Sequence, residues 1–237
     1  MTEPIPVILA IQNDETDAPH LVGQWLEELG FEIRVLRAYA GEKVPTLVPD
    51  GIAALIPLGG HMNATEDHLH PWLAPERALL KDAMDRDIPI FAICLGTQLL
   101  AVAGGGRVER AEIGEVGIYS IFSVDEPDAI FPLNSELTVA QWHEDQIVEL
   151  PADATLLASS ELCKNQIYRL GTRSYGVQFH PEIDLSVIKW WEAEADNAFI
   201  DSGKSTIQAE FAAAEAELFS TWKPIIQRWG QEVLAND

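Results

Sequence analysis

A chain of 237 residues with 47% hydrophobic content can bury one sizeable core and leaves little for a second. Its 15 Lys and Arg stand against 38 Asp and Glu, a formal net charge of −23, which argues against nucleic acid and anionic membrane surfaces as partners, because neutralising phosphates takes clustered cations. No run approaches the roughly 18 unbroken apolar residues of a membrane span. Only Cys94 and Cys163 are present, which excludes a disulfide scaffold and suits a reducing cytoplasm.

The opening MTEPIPVILAIQND lacks the basic region and small-residue cleavage site of a signal peptide, so Pro6 to Ile11 is expected as a first strand. Apolar positions at Leu21, Val22, Trp25, Leu26 and Leu29 predict a helix over Glu15 to Leu29, ended by Gly30. Phe31 to Leu36 alternates as a strand. A loop with Pro45 and Pro49 leads to a buried strand, Ile52 to Leu58, closed by Gly59-Gly60. Pro71 opens a helix whose buried stripe is Trp72, Leu79, Leu80, Ala83 and Met84. Ile88 to Ile93 is a strand apolar on both faces, and after Cys94 an apolar helix runs to Gly104-Gly105-Gly106.

This alternation predicts an α/β fold, a mainly parallel sheet covered by helices on both faces. Beyond Gly106, short β-rich pieces at Gly117–Val124, Thr138–Trp142, Thr155–Ser160, Gln166–Leu170 and Ser174–His180 suggest an antiparallel extension. From Leu185 the pattern is helical again, through Val187, Ile188, Trp190 and Trp191, and then from about Ser205 to Trp229. With no repeat or linker, residues 1–183 are expected as one domain and 184–237 as a helical extension packed on it.

Three stretches carry chemistry. A strand that turns through a small residue into a helix, with Cys94 at the corner, is the elbow that pushes a nucleophile out above the sheet. Gly96 allows close approach there, and a helix N-terminus favours the thiolate. In Gly176-Val177-Gln178-Phe179-His180-Pro181-Glu182, residues two apart in extended chain project the same way, so Glu182 can orient the His180 imidazole as a base. Paired glycines at Gly59-Gly60, ending a buried strand, can aim an N–H into a pocket. Cys163, in the polar setting of Glu161, Lys164 and Asn165, has no elbow and reads as structural.

Together LGGHM at 58–62, AICLGTQLLA at 92–101, EVG at 115–117, WHEDQIVELP at 142–151 and GVQFHPE at 176–182 resemble the class I glutamine amidotransferases, and among them the stand-alone GMP-synthase-type glutaminase domains. The resemblance spans roughly residues 5 to 183. It implies a flavodoxin-like fold, Cys94 as nucleophile, His180 as general base and Glu182 as its partner. It also implies an oxyanion hole from the Gly60 and Leu95 N–H groups. Substrate glutamine would be held by Gln98 and by backbone around Trp142, His143 and Glu144. Three positions depart from the family pattern: Ala92 and Glu144 stand where glycine is common, and His61 where proline is. Glu144 is expected either to attract the substrate ammonium or to point to water.

The implied reaction is hydrolysis of the glutamine side-chain amide through a γ-glutamyl thioester, releasing glutamate and ammonia, with no metal and no cofactor. The ammonia would pass to an ATP-dependent synthetase on a separate chain, in the cytoplasm. A γ-glutamyl hydrolase is the alternative enzyme, and a non-catalytic binding protein the alternative class. The apolar tail makes a homodimer plausible.

Other stretches carry less. Ser202-Gly203-Lys204-Ser205-Thr206 resembles the end of a phosphate loop, but the upstream glycine is replaced by Ala198 and no buried strand precedes it. His61, His68 and His70 with Asp67 fit no standard ligand spacing and are expected as a solvated loop. Gly104-Gly105-Gly106 follows a helix and reads as a turn. Trp190, Trp191, Trp222 and Trp229 are expected to pack on the core or on a neighbouring protomer.

Overall fold

The structure, a computed structural model, describes residues 5–124, 128–131, 135–194 and 207–235. Nine strands form one sheet. They are β1 (Val7–Gln12), β2 (Glu32–Arg37), β3 (Ile52–Pro57), β4 (Ile90–Ile93), β5 (Arg107–Ser123), β6 (Glu136–Glu149), β7 (Ala154–Ser159), β8 (Ile167–Leu170) and β9 (Ser174–Val177). Their order is β2-β1-β3-β4-β9-β8-β7-β5-β6. The first five in that order run parallel, and the rest are joined antiparallel, β9 to β8 through to β5 with β6. The expected parallel sheet with its antiparallel extension is present.

Strand β1 shows why a central strand here is apolar at every position from Val7 to Ile11. Ile8 and Ala10 face one hydrophobic layer, while Val7, Leu9 and Ile11 face the other. Helices α2 (Leu73–Asp85) and α3 (Leu95–Ala103) cover the second layer through Leu79, Leu80, Leu99 and Leu100. The first layer is closed by α1 (His20–Glu27), α4 (Leu185–Glu194) and α5 (Ile207–Leu234), through Val22, Val187 and Trp222. Ring pairs fasten α5 to the sheet. Trp229 sits 5.5 Å from Phe91 and Trp222 4.6 Å from Phe179, contacts worth about 0.5–1.5 kcal/mol each beyond their burial. The Trp222 Nε1–H also donates to the Thr138 carbonyl at 3.0 Å. Trp222 and Trp229, two of the four tail tryptophans, are thus packed on the chain's own sheet, and the expected dimer is left without support from them.

Several boundaries differ from expectation. Helix α1 starts at His20, not Glu15. Pro19 biases Ala18 away from helical backbone, and the Asp14 carboxylate instead accepts from the Thr16 N–H and hydroxyl in a turn. Strands β5 and β6 are much longer than the two short pieces expected, pairing from Arg107↔Glu149 to Phe122↔Glu136. Most of β5 before Val116 lies open, so its charged residues hide the alternation that marks a half-buried strand. Strand β9 ends at Val177, short of His180. Helix α5 continues past Trp229 and through Pro224, because Ile225, Ile226 and Trp229 bury a face that outweighs one lost backbone bond. The phosphate-loop-like residues 202–206 lie outside the described residues. Among the described residues no helix is long and apolar enough to cross a membrane.

Candidate active site

In an open α/β sheet the crevice forms beyond the carboxyl ends of the strands, where the chain reverses its direction of winding. Here β1 lies between β2 and β3, which sets that point. The expected site residues leave the ends of adjacent parallel strands: Gly60 after β3, Cys94 after β4, and His180 with Glu182 after β9.

Cys94 occupies the corner between β4 and α3 at φ 49° and ψ −110°, a strained backbone for a residue with a side chain, at a typical cost of about 1–3 kcal/mol. Its neighbours hold it there. The Cys94 N–H donates to the Val177 carbonyl at 2.9 Å, and the Gly96 N–H to Leu58 at 3.1 Å. Gly96 is required, since a Cβ there would lie 2.1 Å from the Pro57 carbonyl oxygen. Ala92 is fully buried in the α2–α3 layer, so the extra methyl is absorbed in packing.

His180 is 4% exposed and Glu182 1%. The His180 Nδ1–H donates to Glu182 Oε1 at 2.8 Å, and the Cys94 side chain lies close enough to act on the charge of the ring. Burial pulls the imidazole down, but the Glu182 carboxylate and the Cys94 sulfur outweigh it and hold His180 well above its ordinary value. Trp191 of α4 packs edge-on against the ring at 4.8 Å, and its Nε1–H donates to Thr16 Oγ1 at 2.9 Å. A sulfur, an imidazole and a carboxylate in this order can serve as a nucleophile, a base and its orienting group.

Gly60 lies against Leu95, where a Cβ on Gly60 would come 2.9 Å from Leu95 Cδ2. Among the described residues, neither the Gly60 N–H nor the Leu95 N–H has a hydrogen-bond acceptor, and Leu95 is buried. Buried N–H groups without partners are rare, and two beside a nucleophile can hold an oxyanion.

The family model of the class I glutamine amidotransferases matches residues 16–189, which span the Cys94, His180 and Glu182 positions. The chain belongs to that family. It is 32% identical over 178 residues to a subunit of the glutamine-hydrolyzing GMP synthase of Thermococcus kodakarensis, covering 74% of this chain and 89% of that relative. To a putative glutamine amidotransferase-like protein of Salmonella typhimurium it is 34% identical over 173 residues, 70% of this chain and 71% of that one. A solved glutamine amidotransferase from Thermotoga maritima matches with a TM-score of 0.84 at 28% identity, covering 96% of this chain and 99% of that one. The chain is thus an enzyme of the glutamine amidotransferase type, on the flavodoxin-like fold of the family.

The remaining expected residues of this amidotransferase are placed as follows. Gln98 is 3% exposed, and its Nε2 donates to the Asp145 carbonyl at 3.1 Å and to Gln178 Oε1 at 3.3 Å. The Trp142 ring packs on Trp191 at 5.3 Å. His143 is turned inward, with Nε2 3.0 Å from Glu115 Oε2 and Nδ1 2.9 Å from the Asp145 carbonyl. Glu144 pairs with Arg110 across the β5–β6 ribbon at 2.5 Å, with its side chain still partly open to water. His61 bonds Asp14 Oδ2 at 2.7 Å, while Asp67 pairs with Arg77, so those side chains do not gather as a cation site.

Two clusters bring donor atoms within 4.8 Å of one another, Asp17–His180–Glu182 and Glu115–His143–Cys163. Both ring nitrogens of His143, and Nδ1 of His180, are already engaged within the protein. Glu115 also accepts from Ser160 at 3.0 Å and Gln166 at 2.8 Å, so that cluster is a closed buried network. Cys163 lies against it, its thiol pushed up to about 12 by burial and by the Glu115 charge.

Asp17 belongs to the site with no local signal in the sequence, where it reads as one more acidic residue opening a helix. Asn13 is similar: its Nδ2 donates to the Leu58 carbonyl at 3.2 Å, and its Oδ1 accepts from Trp72 Nε1 at 3.0 Å. Gln178 is legible as sharing a strand face with His180, but its contact with the sulfur, at 3.9 Å from Nε2 to Sγ, is not.

Proposed function

We propose that the protein hydrolyses the side-chain amide of glutamine through a γ-glutamyl thioester on Cys94 and hands the ammonia to a separate acceptor enzyme. The single observation that carries this reading is the buried, hydrogen-bonded His180–Glu182 pair set beside a cysteine held at positive φ. Cys94 attacks the amide carbon as a thiolate, with its proton on His180. The developing oxyanion is received by the Gly60 and Leu95 N–H groups, each worth about 3–4 kcal/mol in such sites. His180 then protonates the leaving nitrogen, and as ammonia departs it takes a proton from water, which hydrolyses the thioester. Glu182 keeps the ring oriented and its charge compensated throughout. Glutamine would be held near Gln98 and the Trp142–Glu144 backbone, with the Gln98 side chain serving through Asp145.

A separate acceptor is supported by the Thermococcus relative, whose name describes one subunit of a synthase. Two free cysteines, both buried, fit a reducing cytoplasm as the site of action.

The test is glutamate release from glutamine by the purified chain, alone and with candidate ATP-using synthetases. Cys94→Ala is expected to abolish release while leaving thermal unfolding unchanged. A rate that survives this substitution would overturn the assignment.

A further inference from the structure

We propose that Asp17 is a positioning residue of this site, a second carboxyl that sets the charge carried by the His180 imidazole. The inference rests on the Cys94–His180–Glu182 reading and goes beyond it.

The placement is specific. Asp17, on the loop after β1, brings a carboxylate oxygen within 4.8 Å of both a His180 ring nitrogen and a Glu182 oxygen. Room for it is made by Gly59, where a Cβ would lie 2.3 Å from Asp17 Oδ1 and 3.2 Å from His180 Cε1. The glycine pair after β3 therefore has two uses: Gly60 presents its N–H, and Gly59 admits the Asp17 carboxyl beside the imidazole.

A structural role does not account for this carboxyl. It does not cap α1, whose N-cap residue Pro19 offers no side-chain bond. Its only side-chain donor among the described residues is the Thr16 hydroxyl, at 3.2 Å, whose one proton is shared with the nearer Asp14 Oδ1 at 2.9 Å. Asp17 is 6% exposed, and a carboxylate so buried with one neutral donor is costly to hold ionised. Glu182 Oε2, in the same cluster, is itself buried without a hydrogen-bond partner among the described residues.

The groups that face Asp17 come from three elements. His180 and Glu182 follow β9, and Asp14 lies on its own loop; His61, after β3, is bonded to Asp14 and feels the Asp17 charge. Burial pushes the Asp17 carboxyl up to about 7, opposed by the attraction of His180 and reinforced by Glu182 and Asp14. It therefore changes charge near neutral pH. Once ionised, it adds a negative charge beside the imidazolium and delays loss of the His180 proton.

The experiment is the pH profile of kcat/KM for glutamate release, together with an NMR titration of the His180 ring, in wild type and Asp17→Asn. The asparagine keeps the shape and removes the charge. The expected result is an alkaline limb and a His180 midpoint about one pH unit lower in the variant, as befits a charge at this range in a partly screened site. The deficit of the variant then grows with pH, reaching about ten-fold above the wild-type limb. An unmoved limb and an unmoved His180 midpoint, or a deficit equal at every pH, would overturn the proposal.

Should Asp17→Asn not fold, carboxyl-carbon titration of Asp17 in the wild-type protein decides. A midpoint near 7 that perturbs the His180 resonance supports the proposal; an ordinary midpoint near 4 with no effect on His180 refutes it. The NMR arm reads the Asp17–His180 coupling even in a protein that turns over no glutamine. Failure of this proposal is thus distinct from failure of the Cys94 reading.

Discussion

The side-chain amide of Gln178 donates to the Cys94 sulfur across 3.9 Å, and its own oxygen accepts from Gln98, so a buried amide chain runs from the Asp145 carbonyl to the cysteine. A donor aimed at sulfur favours the thiolate, and hydrogen bonds to charged groups are worth about 1.5–3 kcal/mol. Gln178→Leu is expected to lower kcat/KM about ten-fold and to slow alkylation of Cys94 by iodoacetamide at pH 6–7. Unchanged alkylation would mean the amide serves only packing.

The two cysteines should differ sharply. Cys94 stands at a helix N-terminus beside an imidazole, while burial and the Glu115 charge push the Cys163 thiol up to about 12. Peptide mapping after brief alkylation of the native protein should find the label on Cys94 alone, with Cys163 joining after denaturation. Equal labelling of both in the native state would contradict the buried network around Glu115.

Trp191 ties the helical tail to the imidazole, packing on His180 and bonding Thr16. Trp191→Phe keeps an aromatic ring and removes the indole donor, a loss of about 1 kcal/mol. Denaturant unfolding should show that loss, and kcat should fall by up to about five-fold with little change in KM. A change confined to KM would place Trp191 against substrate instead.

The site divides into parts that a sequence reveals and parts that it does not. The elbow is legible because one short stretch contains the strand, the corner and Gly96. His180 and Glu182 are legible because a spacing of two in extended chain is a local rule. Asp17 is not, since nothing local links a residue after the first strand to an imidazole after the ninth. The reach of β5 and β6 is also hidden, because a ribbon open to water lacks the apolar alternation that betrays a buried strand. Glu144 escapes for a related reason: its partner Arg110 lies across a hairpin whose register the sequence does not give.

Glu76 makes stability depend on pH. It is fully buried, with Oε1 3.3 Å from Asn13 Nδ2 and Oε2 unpartnered among the described residues, and burial pushes its carboxyl from 4.5 up to about 8. The unfolded chain releases this proton near 4.5 while the folded protein keeps it. The favourable contribution is thus complete below 4.5 and is lost as pH rises towards 8. Glu76→Gln, which cannot ionise, should unfold like wild type near pH 4 and gain about 2–3 kcal/mol over it at pH 7. An equal difference at both pH values would show that Glu76 is ionised in the fold.

The most direct test of the whole account is to mix the protein with glutamine, quench in acid within the first turnovers and map the digest by mass. The account predicts a γ-glutamyl group on the peptide containing Cys94, absent from Cys94→Ala and discharged on further incubation as glutamate appears. Glutamate release with no such adduct, or an adduct on any other residue, would contradict it.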